Sequence, residues 1–184
     1  MKIVGLSGNS GSGKDTVAEY LQNQYDFHHF SVGTTFRQEY LQEQASISRQ
    51  LMIERYLDFL KREGQTYFLK RFIEQANRSN YSQITINGIR QLADYNYLCS
   101  LTQTHFLLIY LNLNEALRFE RVLARGRAGE GSNYSEYKTI SEFEFNSFDY
   151  EQLKERADFA IDNDRSRVEL QLNLDRILHR VGFI

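Results

Sequence analysis

Apolar and polar residues follow two different periods along this chain, and the switches between them mark its elements. Lys2 to Ser7 (KIVGLS) is a short β-type run that stops at glycine-rich sequence, and from Lys14 to Tyr25 the spacing of Val17, Tyr20 and Leu21 is helical. Phe27 to Ser31 reads as a second strand, and helix formers dominate from Phe36 to Asn80, with room for two or three helices. Gln83 to Ile86 is a third strand and Asp94 to Leu101 a helix. Phe106 to Leu113 (FLLIYLNL) is an unbroken apolar run, as in strands buried on both faces. Helical spacing returns from Leu117 to Arg125. Gly126 to Phe143, rich in Gly, Ser, Asn and charge, is expected to be an exposed mobile loop. Tyr150 to Arg156 is helical, Ala157 to Ile161 is a last strand, and a closing amphipathic helix sets Leu174, Ile177, Leu178 and Val181 on one face. Five strands alternating with helices predict a three-layer α/β/α domain around a five-stranded parallel sheet.

Length and charge narrow the field. At 184 residues the chain is the size of one domain. Its 22 Lys+Arg and 24 Asp+Glu leave a net charge of -2, so no general attraction to nucleic acid or anionic membrane is expected, and phosphate recognition must be local. Cys99 is the only cysteine, which excludes an internal disulfide and a thiolate metal site and fits a cytoplasmic enzyme. The start, MKIVGLSG, matches neither a signal peptide nor a membrane span. His28 and His29 have no His or Cys at metal-ligand spacing, so no zinc site is expected. The 12 Tyr and 13 Phe are read as core or groove lining.

The segment from Gly8 to Thr16, GNSGSGKDT, carries the most specific chemistry. Gly8, Gly11 and Gly13 allow successive backbone N–H groups to turn inward, and Lys14 follows at a helix start, an arrangement that binds anions. The spacing is that of a P-loop, with Asp15 where Ser or Thr usually follows the lysine and the hydroxyl one place later at Thr16. Strand before and helix after are the setting this motif requires.

GLSGNSGSGKDTVAEYL resembles the nucleotide-kinase branch of P-loop proteins, and its GKDT ending is similar to that of phage-type deoxynucleoside monophosphate kinases, as GKGT is in adenylate kinases. The resemblance implies a P-loop NTPase fold that binds ATP and Mg²⁺, with Lys14 at the transferred phosphoryl group and Thr16 by the phosphates and metal. Asn9, Ser10, Gly11, Ser12, Gly13, Lys14, Asp15 and Thr16 form the nucleotide-binding set it implies. Asp15 is a metal or acceptor-hydroxyl group, or simply a favourable acidic residue in a first helical turn.

HHFSVGTTFRQEY resembles the acceptor-nucleotide segment of adenylate kinases and puts Arg37 at the phosphate-holding arginine, supported by Thr35. ITINGIRQLADYNYL resembles the element that supplies a second acceptor arginine, here Arg90 after Gly88, with Asn87 where an acidic residue is usual. LRFERVLARGRAGEG sets Arg118, Arg121, Arg125 and Arg127 along a helix end and into a loop. In the resembled kinases such a series closes over ATP and neutralises the transferred phosphoryl group. Arg125 and Arg127 are the candidates for that role. Arg121 shares it or stacks on adenine, and Arg118 pairs with Glu115 or Glu120. RADFAIDNDRSRVEL resembles the last strand and adenine loop, with Asn163 and Asp164 near the base.

The implied activity is phosphoryl transfer from Mg²⁺-ATP to a nucleoside or deoxynucleoside monophosphate in a single domain, with an acceptor-binding helical insertion at about 34–82 and a short lid at about 125–143. The alternatives are a dephospho-coenzyme A kinase-like enzyme and a P-loop sensor that has lost catalysis. The expected partner is a small-molecule nucleotide acceptor, with no nucleic acid and no membrane, and the chain is expected to be a monomer or homodimer.

Overall fold

The structure, a computed structural model, describes residues 1–41, 47–127 and 129–184. Its five strands are β1 (Lys2–Ser7), β2 (His28–Ser31), β3 (Gln83–Asn87), β4 (His105–Asn112) and β5 (Phe159–Asp162). They form one parallel sheet in the order β2-β3-β1-β4-β5. The helices are α1 (Lys14–Tyr25), α2 (Val32–Tyr40), α3 (Arg49–Glu63), α4 (Tyr67–Arg78), α5 (Leu92–Cys99), α6 (Glu115–Arg125), α7 (Tyr134–Ser147), α8 (Tyr150–Arg156) and α9 (Arg167–Arg180).

Alternation along the central strands divides the core in two. Val4, Leu6, Leu107, Ile109 and Leu111 pack on one face with Val17, Ala18 and Leu21 of α1 and Leu170, Leu174 and Leu178 of α9. Ile3, Ile84, Ile86 and Leu108 face the other way, into an aromatic layer of Phe36, Tyr56, Phe59, Phe68 and Phe72 from α2, α3 and α4. All strands run parallel, so their carboxyl ends lie along one edge, and the segments leaving β1, β2 and β3 meet there.

The structure departs from the pattern-based expectations in several places. Phe27 precedes β2 and is fully buried against the α1/α9 layer rather than paired in the sheet. Strand β5 starts two residues later than expected, at Phe159. On α9 the buried positions are Leu170, Leu174 and Leu178, while Val181 is exposed beyond the helix end. Most of the stretch expected to be a mobile loop, 126–143, is helical. Asn133 caps α7 by accepting from the Glu136 amide at 3.0 Å, and Tyr137 and Glu144 are its buried positions. A buried glutamate in place of an apolar residue hid that helix from a search for an apolar stripe. The expected insertion at 34–82 contains α3, α4 and most of α2. Its residues 42–46, and Ala128 in the expected lid, lie outside the described residues.

Among the described residues no helix is long and apolar enough to cross a membrane. Leu21 lies on the buried face of α1, the phosphate loop's helix, with no exposed surface. Leu21→Ala is expected to lower the unfolding free energy by roughly 2–5 kcal/mol in urea titration, and a loss under about 1 kcal/mol would contradict the packing described.

Candidate active site: a cationic cleft at the carboxyl edge of the sheet

The loop from β1 to α1 opens a cleft of about 330 Å³. Gly13 sits at φ 101°, and a Cβ there would run into the Asn163 side-chain amide, so only glycine admits the close approach of the β5–α9 connection. That amide donates to the Ser12 carbonyl at 2.9 Å, and Asn163 is buried. Asn163 thus braces the phosphate loop, while Asp164 accepts from the Asn114 amide at 2.9 Å.

Lys14 Nζ donates to the carbonyls of Gly8 and Asn9 at 2.6 and 2.8 Å and lies 3.4 Å from Ser12 Oγ. Ser10, Gly11, Gly13, Lys14, Asp15 and Thr16 line the cleft, whereas Asn9 and Ser12 line a separate cavity beside Tyr110. Asp15 Oδ1 accepts from Asn87 Nδ2 at 2.6 Å, and Arg127 Nη2 stands 3.8 Å from Oδ2. The two residues that depart from the usual P-loop pattern therefore touch each other.

Arg37 and Arg90 converge on Gly33. A Cβ on that glycine would lie 3.2 Å from Arg90 Nη2 and 3.8 Å from Arg37 Nη1. Gly88, at φ 103°, turns the chain from β3 toward Arg90 but is not a wall of the cleft, nor is the half-buried Thr35. Ser31 does line it and caps α2, accepting from the Thr34 amide at 3.3 Å.

Arg121, Arg125 and Arg127 all face the cleft. Arg121 Nη2 donates to the Asn163 carbonyl at 3.0 Å. Arg125 Nη2 reaches Ser10 Oγ at 3.0 Å and pairs with buried Glu130 at 2.6 Å, which fixes it over the phosphate loop. Arg118 faces the second cavity and donates to Ser141 at 3.3 Å rather than to Glu115 or Glu120.

Four charged cleft residues, Arg49, Glu144, Arg165 and Arg167, were not expected from the sequence. Arg49 and Glu144 form a buried ion pair of α3 with α7. Arg49 looks like any charge on a polar helix. Glu144 left one readable trace, since it falls seven residues after Tyr137, on the same face, between two phenylalanines.

Residues 7–141 match the AAA domain family. The chain belongs to that family. It is similar to the UPF0200 protein of Pyrobaculum aerophilum, 24% identical over 181 residues that cover 97% of each chain. It is also 24% identical over 184 residues to a UPF0200/UPF0201 protein of Archaeoglobus fulgidus, and spans 56% of that relative's length. Among solved structures, shikimate kinase from Acinetobacter baumannii in complex with shikimate superposes with a TM-score of 0.59 at 13% identity, covering 97% of this chain and 93% of that one. TT1252 from Thermus thermophilus gives 0.62 at 20% identity over 97% and 96%. The fold of this AAA domain protein is thus the small P-loop kinase fold.

A P-loop kinase fold implies Mg²⁺ with its nucleotide. Thr16 offers a hydroxyl and Asp15 a carboxylate on the cleft wall, both hard oxygen ligands that suit an ion held mainly by phosphates and water. Among the described residues no group of three or more acidic, His or Cys side chains is placed to bind a metal by itself.

Burial pulls the Lys14 ammonium down to about 7, with Arg90 and Arg49 adding to the shift while Glu144 and Asp15 oppose it. Burial likewise lowers Arg37, to about 10, helped by repulsion from Arg127, Arg49 and Arg90. Burial opposes ionisation of Asp15, but Lys14, the Asn87 hydrogen bond and Arg127 outweigh it and hold the carboxyl below its ordinary value. A bound phosphate reverses the balance at Lys14, since an adjacent anion favours the charged form. At pH 8 ATP binding is therefore expected to draw a proton onto Lys14, visible as a buffer-dependent enthalpy in calorimetry and absent in Lys14→Met. The same enthalpy in buffers of different ionisation heat would contradict it.

Proposed function

We propose that this protein transfers the γ-phosphoryl group of Mg²⁺-ATP to a nucleoside or deoxynucleoside monophosphate. One observation carries the reading: Lys14 of the phosphate loop and the converging Arg37 and Arg90 line the same cleft. A donor triphosphate on the loop and an acceptor phosphate on the arginines would then meet without either leaving its site. Phosphoryl transfer asks little covalent chemistry of a protein, so positioning and charge are the tools needed.

In this reading Lys14 and Thr16 hold the donor phosphates, and Arg121, Arg125 and Arg127 neutralise charge spreading onto the transferred group. Mg²⁺, held by Thr16 and Asp15 beside the phosphates, would supply charge neutralisation on the donor. Asp15 makes a poor general base because its neighbours stabilise the carboxylate, and a phosphate acceptor needs none.

The test is ADP formation from Mg²⁺-ATP with a panel of nucleoside and deoxynucleoside monophosphates, shikimate and dephospho-coenzyme A. Acceptor-dependent ADP is expected with at least one monophosphate. Tight ATP binding with no such turnover on any member would sink the kinase reading and favour a sensor. Arg37→Ala removes a charged hydrogen-bonding partner worth about 1.5–3 kcal/mol, and is expected to raise the acceptor KM roughly ten- to a hundredfold with little change for ATP. Lys14→Met is expected to act chiefly on kcat. Equal KM effects of Arg37→Ala on both substrates would mean the acceptor lies elsewhere.

A further inference from the structure

Three guanidiniums on the acceptor side carry N–H groups with a weak acceptor or none. Arg90 is only 9% exposed. Among the described residues its Nε meets no acceptor, and its guanidinium lies over the rings of Tyr56 and Phe148 at 5.8 and 5.4 Å. Arg37 Nη1 finds the Met52 thioether at 3.9 Å, and Arg49 Nη1 contacts the same sulfur at 3.8 Å. A thioether is a weak acceptor, so these N–H groups remain available to a better one. The three groups are contiguous, since Gly33 separates Arg90 from Arg37 and Met52 separates Arg37 from Arg49.

Among the described residues, Arg49 alone of the three is ion-paired with a carboxylate. Its Nε and Nη2 donate to the two oxygens of Glu144 at 3.2 and 2.8 Å, and Tyr150 donates its hydroxyl to Glu144 Oε1 at 3.1 Å. A bidentate pair fixes the plane of the guanidinium and leaves the Nη1 edge free. The backbone is held as well, for the Arg49 amide donates to the Gly129 carbonyl at 3.1 Å. Glu144 offsets one of the three positive charges. The two that remain match a phosphate monoester dianion, and a neutral acceptor would leave them unanswered in a half-desolvated site.

We propose that Arg49, aimed by Glu144 and Tyr150, is a third binding residue for the acceptor's phosphate, completing with Arg37 and Arg90 an arc shaped for a phosphomonoester dianion. This rests on the reading of the cleft as a kinase site. Glu144 and Tyr150 are positioning residues, and through them α7 becomes part of acceptor recognition although it carries no arginine of its own.

The experiment is a ³¹P NMR titration of the full-length protein, saturated with Mg²⁺-ADP, using inorganic phosphate as the acceptor-side probe. Wild type is compared with Arg49→Lys, which keeps the charge but loses the fork, and with the double variant Arg49→Gln/Glu144→Gln, which leaves no buried charge unpaired. Arg37→Ala is the reference. Loss of one charge-assisted contact is expected to weaken phosphate binding at least about fivefold in both Arg49 variants, with Mg²⁺-ADP affinity within about twofold of wild type. Unchanged phosphate affinity in both, alongside a loss in Arg37→Ala, would overturn the role of Arg49 alone and leave a plain α3–α7 bridge. No loss in Arg37→Ala either would overturn the acceptor-site reading beneath it.

Discussion

Repulsion among like charges organises this molecule. Lys14 and eight arginines line one cleft, against the carboxylates of Asp15 and Glu144, in a chain whose net charge is -2. The excess is local: burial pulls Lys14 and Arg37 toward their neutral forms, and neighbouring cations add to the shift. Such a cluster persists because a rigid sheet edge holds its members and because a polyanion relieves it on binding. The excess charge suits an anionic ligand such as phosphate.

The fold supplies that rigidity from several elements at once. Parallel strands deliver the phosphate loop after β1, Gly33 just after β2 and Arg90 just after β3 to a common edge. Asn163 after β5 braces the loop from the other side, and Glu130 and Ser10 hold Arg125 across it. Glu144 is buried among the cations. Arg49, Arg90 and Lys14 together press it down to about 2 against the opposing effect of burial. A buried ion pair of this kind adds little net stability against apolar replacements, and its value lies in fixing geometry.

The strands, the phosphate loop and the two arginines at Gly33 were legible because each carries a local signal: an apolar run, a glycine spacing, an Arg at a fixed offset from a strand. Helix α7 was not, because its buried positions are a tyrosine and a glutamate rather than an apolar stripe. Arg49 was not, because burial of a charge depends on a partner 95 residues away, and no local pattern reports it. The mutual contact of Asp15 and Asn87 was hidden for the same reason. Each looked like a defect in its own motif, and only the folded chain shows one side chain hydrogen-bonded to the other at 2.6 Å.

The central claim is that donor and acceptor phosphates share this one cleft. Calorimetric binding of a dinucleoside polyphosphate, long enough to place one nucleotide on the phosphate loop and the other on the arginine arc, tests it most directly. Joining two sites makes the second contact intramolecular, so affinity at least about a hundredfold above that of ATP is expected, at one molecule per chain, with the gain erased by Arg37→Ala. Affinity equal to that of ATP, or two molecules per chain, would contradict a shared cleft.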